Sequence, residues 1–293
     1  MKTTKILSFL FIVLFSFYTT SCSNDDPTND PSGGSGGGNT TGLEKGQIEI
    51  KVYPDESGRV SFTATAKEIS IDWGNGSIDN LTPNGIRREF THEYPNQNLQ
   101  TILITSSNIE ILSCSSYGTT WKFQEFRIGE TSLKEVSLSN LDITTLKIDK
   151  SDSLEKLICD RNKLTELDVS KCPALVELRC HDNQLTSLNV SGCTALISLD
   201  CSYNQLTSLN VSGFTALMYL NCWSNRLTSL NISGCTALGG ILYFAYNQLT
   251  AEVLNAIFEA LPVVNQVTMF IYGNPGSATC DITIATRKGW NVV

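Results

Sequence analysis

Apolar residues return along this chain at two different periods, and the change of period divides it. From residue 47 to about residue 108 they alternate with polar ones, as in Ile48, Ile50 and Val52, then Val60, Phe62 and Ala64, then Ile69 and Ile71, then Ile102 and Ile104. Gly and Asn clusters separate these runs, so the spacing predicts short antiparallel strands with one buried face each. Further on, the alternation gives way to a fixed clock of 21 residues. The pattern Leu-x-x-Leu-x-Cys-x-x-Asn-x-Leu runs through Leu154, Leu157, Cys159, Asn162 and Leu164. It returns from Leu175, from Leu196 and from Leu217 without a gap. A unit this short cannot bury its own apolar face, so successive copies must stack as a solenoid.

The clock extends beyond its regular block. Leu133, Val136, Leu138 and Ile143 keep it but put Leu141 in the Asn slot. Ile109, Leu112 and Cys114 form an irregular first coil with Tyr117 in that slot. At the far end the pattern slips by one residue through Gly239 and Gly240, and Leu242, Phe244, Asn247 and Leu249 complete the last coil. Side chains alternate around a strand, so Leu178 and Cys180 point inward while Arg179 and His181 point outward. A second run, residues 185–191 in one coil, lines the opposite wall, and so short a coil leaves room there only for extended or 3₁₀ backbone. The Asn column (Asn162, Asn183, Asn204, Asn225, Asn247) is read as structural, because a buried amide satisfies backbone groups at a tight bend. Stacked arrays need their ends covered. Thr250 is placed to N-cap a helix with an apolar stripe of Val253, Leu254, Ile257, Phe258 and Leu261, ended by Pro262. A strand-like run at 267–272 and a short helix ending at Lys288 and Gly289 follow.

On these motifs residues 154–249 resemble a leucine-rich repeat array. The segment Ile71-Asp72-Trp73-Gly74-Asn75-Gly76-Ser77, with His92-Glu93-Tyr94, resembles PKD-like β-sandwich modules, which usually carry Asp where Asn75 stands. The expected fold class is therefore β-rich: a leucine-rich repeat solenoid with 21-residue repeats, a small antiparallel β-sandwich before it and a helical C-terminal cap. The expected boundaries are a signal peptide at 1–21, a tether at 22–43, the sandwich at 44–108, the solenoid at 109–249 and the cap at 250–293.

The first residues support this layout. Lys2 and Lys5 precede an apolar run at 6–18, too short to span a membrane, and Thr19-Thr20-Ser21-Cys22 follows. This resembles a bacterial lipoprotein processing site with Cys22 as the acylated residue. Asp25 and Asp26 resemble the acidic stretch of Bacteroidota surface lipoproteins. The whole layout is similar to those lipoproteins and, in a general way, to internalin-like adhesins. The resemblance implies an exported protein on the cell surface or outer membrane, held by its lipid alone. Each buried CH2 contributes about 0.8 kcal/mol to such an anchor. The Gly- and Ser-rich tether spans roughly 25 Å as a coil. The chain has 29 acidic and 21 basic residues, for a formal charge of −8. That balance argues against nucleic acid and against charge-driven attraction to anionic lipid.

Ten cysteines against two histidines is an unusual ratio. Cys159, Cys180, Cys201 and Cys222 form one column, and Cys172, Cys193 and Cys235 another. Phe244 and Phe214 take cysteine's place in these columns, which marks packing positions and buried free thiols. No Cys-x-x-Cys pair exists, and no metal or other cofactor is expected. Function is expected at outward positions of the strand face. Charged residues dominate its early coils, while Tyr203, Tyr219, Trp223, Tyr243 and Tyr246 gather in the last three. These aromatics, with Arg179 and His181, are the candidate ligand-binding residues, because Tyr and Trp anchor protein interfaces and stack on sugars. His181, Asp160, Asp182 and Ser202 outline a triad on paper, but a shallow strand face offers no oxyanion hole, so no catalytic residue is assigned. His92 is read as a hydrogen-bonded residue of the sandwich. Three readings stay open: protein interaction or adhesion, glycan binding, and a scaffold that binds nothing. The oligomeric state is left open.

Overall fold

A computed structural model describes residues 43–114 and 122–293. The expected signal, Cys22, nearly all of the expected tether and Tyr117 lie outside these residues. The alternating region forms β1 (Gln47–Tyr53), β2 (Arg59–Thr65), β3 (Ile69–Asp72), β4 (Ile78–Leu81), β5 (Arg87–Glu93) and β6 (Gln100–Thr105). After it come β7 (Ile111–Ser113), β8 (Lys122–Ile128), β9 (Glu135–Ser137) and β10 (Thr145–Ile148). The regular coils then contribute two short strands each. These are β11 (Lys156–Ile158) and β12 (Glu166–Asp168), β13 (Glu177–Arg179) and β14 (Ser187–Asn189), β15 (Ser198–Asp200) and β16 (Ser208–Asn210), and β17 (Tyr219–Asn221) and β18 (Ser229–Asn231). The chain closes with β19 (Leu242–Tyr243), α1 (Ala251–Ala260), β20 (Val267–Phe270), α2 (Thr283–Thr286) and β21 (Trp290–Val292). The result is a β-rich solenoid of about eight turns at roughly 21-residue spacing, with few helices.

The 21-residue clock appears directly in the strand register. Leu157 lies opposite Leu178, Leu178 opposite Leu199, and Leu199 opposite Leu220, all in parallel pairs. These leucines are fully buried, as are Cys159, Cys180, Cys201 and Cys222 beside them. Each buried leucine contributes about 1.5–3 kcal/mol, which stacking multiplies coil by coil. The opposite wall is extended backbone in three-residue strands, with β12 beside β14 and β16 beside β18.

Each coil turns on its asparagine. The Asn204 amide donates to the carbonyls of Cys180 (3.0 Å) and Cys201 (3.1 Å), and its Oδ1 accepts from Leu185 N (2.9 Å). One side chain thus ties together the backbone of two neighbouring coils. The residue just before the asparagine is left-handed in coil after coil: Arg161, Asp182, Tyr203, Ser224 and Tyr246 have φ between 52° and 55°. That conformation is costly for a residue with a Cβ, and the buried amide bonds hold it in place. Leu141, the exception in the column, is buried and donates its backbone N–H to Asn162 Oδ1 at 3.1 Å.

Hydrogen bonds of both large sheets run between the strands at 47–105 and those that follow residue 108. β2 pairs with β7 (Ala64 opposite Leu112), and β7 pairs in parallel with β9 (Leu112 opposite Val136). The sheet of β5, β2 and β7 therefore continues through the coil strands to β21 as one eleven-stranded sheet. On the other side β8 pairs with β1 and β10 with β8, in a six-stranded sheet. The physical reason is the raw apolar end of the first coil. Strands at 47–105 extend the layers there, and Ile50, Phe62, Trp73 and Ile104 join the same apolar core as Leu112 and Val136. His92 stacks on Trp73 (centroids 4.9 Å apart) and meets Asn75 Nδ2 at 2.9 Å, with its pKa lowered chiefly by burial.

At the C-terminal end, Thr250 N-caps α1 through a long 3.4 Å contact from Val253 N. Leu254, Ile257 and Phe258 bury the apolar stripe of that helix. Lys288 Nζ donates to the carbonyls of Phe258 (3.1 Å) and Leu261 (3.0 Å), where the helix dipole favours a cation. Beyond the helix the coil pattern resumes: Met269 lies opposite Leu242, and Phe270 opposite Tyr243.

Candidate functional site

The outward side chains of the eleven-stranded sheet stand in columns set by the strand register. One column runs Lys156, Glu177, Ser198, Tyr219, and the next runs Ile158, Arg179, Asp200, Asn221, Tyr243, Phe270. In the early coils these side chains pair by charge, although Glu177 Oε1 is buried and receives no hydrogen bond of good geometry. Lys156 lies 3.7 Å from Glu177, and Arg179 Nε meets Glu177 Oε1 at 2.7 Å. His181 Nε2 sits 3.6 Å from Asp160, whose other oxygen accepts from Ser139 Oγ at 2.9 Å. The triad drawn from sequence does not assemble. Ser202 Oγ donates instead to Asp200 Oδ1 at 2.6 Å.

The late coils are different. Trp223 touches Tyr272 (5.2 Å between centroids, 85° between planes), Tyr246 (5.3 Å) and Tyr243 (6.2 Å). Tyr243 stacks on Phe270 at 5.3 Å and 10°, and meets Tyr219 at 6.2 Å. Tyr246 and Tyr272 close the group at 5.3 Å and 82°. Edge-to-face and offset contacts of this kind follow the ring quadrupole, so each ring holds its neighbour's rotamer. Trp223, Tyr219 and Tyr243, expected to be exposed, are half-buried by these contacts. Tyr203 (56 % exposed) and Tyr246 (51 % exposed) stand out furthest, because both occupy left-handed bends at strand ends. Gly273 takes that bend position in the next coil, with φ +74°, and a Cβ there would lie 2.7 Å from the Tyr246 ring. The missing side chain makes room for Tyr246.

Of the residues singled out from sequence, the structure brings Tyr219, Trp223, Tyr243 and Tyr246 together. Arg179 and His181 lie in the ion-paired coils, outside the group of touching rings, with the Arg179 charge near enough to act on the Tyr219 hydroxyl and lower its pKa. Sequence reasoning missed Phe270 and Tyr272, which belong to the same face. The signal was present: Met269, Ile271 and Asn274 repeat the spacing of Leu220, Cys222 and Asn225. Asn274 acts as a further rung, donating to the carbonyls of Phe244 (3.0 Å) and Ile271 (2.7 Å) and accepting from Leu249 N (3.1 Å). Also missed was an aliphatic border. Exposed Ile197 and half-buried Met218 precede β15 and β17, and exposed Ile241 adjoins β19.

Every cysteine among the described residues carries a free thiol. Burial raises those of Cys159, Cys180, Cys201 and Cys222, and pushes Cys172 up to about 11 and Cys193 to about 12. Such thiols are poor nucleophiles and poor metal ligands. Among the described residues no group of three or more His, Cys, Asp or Glu gathers to hold a metal ion. Set against known proteins, the chain matches no described family and no curated protein.

Proposed function

We propose that this protein is a binding module whose strand face docks a protein partner at its ring-bearing end. The observation that carries this reading is the group of Tyr219, Trp223, Tyr243, Tyr246, Phe270 and Tyr272, bordered by Ile197, Met218 and Ile241. Tyr, Trp, Phe and Met are enriched at protein interfaces, and rings already locked together lose little rotamer freedom on binding. The aliphatic border favours a protein over a glycan, since sugars stack on ring faces and gain little from Ile or Met side chains. On this reading the coils are leucine-rich repeats, residues 44–108 a PKD-like sandwich, and α1 with the segments after it a helical cap. Export, with acylation at Cys22, would place the module on the outer membrane or cell surface of a Bacteroidota-type cell, with the lipid as its only membrane contact. No catalytic role is assigned.

A screen of residues 43–293 against host proteins and glycans tests the proposal, with a Trp223→Ala, Tyr243→Ala double variant beside it. Binding to a protein is expected to fall at least tenfold in the variant while the fold is kept. Binding that survives the double substitution overturns the assignment of this face. Competition by free oligosaccharide would reassign it to a glycan.

A further inference from the structure

Charge on the strand face is as uneven as its aromaticity. From β15 to β20 the segments 198–203, 219–224, 241–246 and 268–273 contain a single charged residue, Asp200. Its Oδ1 accepts from Ser202 N (3.0 Å) and Ser202 Oγ (2.6 Å), and its Oδ2 from Asn221 Nδ2 (3.2 Å). Those donors hold the carboxylate in place without neutralising it. Arg179 lies opposite Asp200 in register, yet its Nε is turned onto Glu177 at 2.7 Å. Asp182 adds a second, exposed carboxylate at the bend one coil before Tyr203. Among the described residues neither Asp182 nor Asp200 has a cation within ion-pair distance. The hydroxyl of Tyr219 is pushed up to about 12, by burial first and by Asp200 next, against smaller lowering effects of Asn221 and of the Arg179 charge.

The fold does not require a charge at this position. In the next coil Asn221 occupies the column and accepts from Trp223 N at 3.1 Å, as Asp200 does from Ser202 N. In the preceding coil the same column holds Arg179. An amide there therefore serves the turn, and the charge of Asp200 remains available for recognition. Ring faces also attract cations, more so where water is excluded.

We infer that the partner presents a protein segment with arginine or lysine side chains set beside apolar ones. The apolar side chains would cover the rings and the aliphatic border, and the cations would meet Asp200, Asp182 and the ring faces. This rests on the docking face proposed above and specifies its partner's chemistry.

The test uses the full chain and three labelled twelve-residue peptides in which leucine alternates with arginine, serine or glutamate. The arginine peptide is expected to bind at least tenfold tighter than the serine peptide, and the glutamate peptide weakest. An Asp182→Asn, Asp200→Asn double variant should lose most of that preference with its thermal midpoint unchanged, while Glu252→Gln on α1 should keep it. Equal binding of the three peptides, no binding of the arginine peptide, or a preference that survives the double variant overturns the inference. Trp223→Ala separates the two levels of the proposal. If it abolishes binding that shows no charge preference, the docking face stands and only the partner's chemistry falls. If peptide binding is indifferent to Trp223, both fall.

Discussion

The coils of β11 and β13 and those of β17, β19 and β20 share one sheet and one inward chemistry, but face outward with opposite characters. Leu178 and Leu220 are equally buried, as are Cys180 and Cys222. Asn183 accepts from Leu164 N at 3.0 Å and Asn225 from Leu206 N at 3.0 Å. Outward, the early coils close on themselves in the ion pairs of Lys156, Glu177 and Arg179. The late coils instead hold a packed sheet of rings, with apolar edges open to solvent. The inward half of each coil answers to stacking, so its residues repeat. The outward half is free of that demand, so differences between coils there carry the information about partners. A solvated ion-paired surface gains little by being covered, whereas an apolar one gains with every Å² removed from water.

That contrast has consequences of graded size. The largest belongs to the shared interior. Asn204→Ala leaves the N–H of Leu185 without its partner and takes one of two amide donors from each of the Cys180 and Cys201 carbonyls, which keep Asn183 and Asn225, and should cost about 3 kcal/mol. A loss below about 1 kcal/mol in urea unfolding would contradict the role of the amide ladder. Next, Leu178→Ala and Leu220→Ala should each cost about 2–5 kcal/mol, and by similar amounts, since both remove the same buried rung. A large inequality would mean that the two halves are not built alike inside. The smallest effects separate the outward faces. Trp223→Ala should cost about 1–2 kcal/mol, because three rings lose a neighbour. Lys156→Ala should stay within about 0.5 kcal/mol, because its pairs with Glu135 (3.9 Å) and Glu177 (3.7 Å) are long and only half-buried. Reversal of that order in matched denaturation curves would sink the distinction between an ion-paired half and a ring-bearing one.

Much of the candidate site was legible in the residues before the fold. Tyr219, Trp223, Tyr243 and Tyr246 fall at outward positions by counting alone, because the clock assigns each residue to a column. Their half-buried state was not legible, since it depends on rings from a neighbouring strand. Phe270 and Tyr272 were hidden for a related reason: α1 interrupts the clock, and counting fails across an insertion of different length. The charge pairing was equally out of reach. Arg179 has carboxylates at Glu177 and Asp200 on the same face, and only side-chain geometry selects Glu177.

By itself the amino-acid sequence determined the stacked coils, the buried leucine and cysteine columns, the asparagine rungs and the polarity of the strand face. These follow from local periodicity, which sets which side of the backbone each residue occupies. The tertiary structure alone decided that strands at 47–105 share sheets with those of the solenoid, and that β20 carries the ring-bearing face past the helix. Among the described residues it also left Asp200 without a cation within ion-pair distance, Arg179 being turned onto Glu177. Those outcomes depend on register between segments that share no repeat, and such register is settled by which apolar ends must cover one another in space.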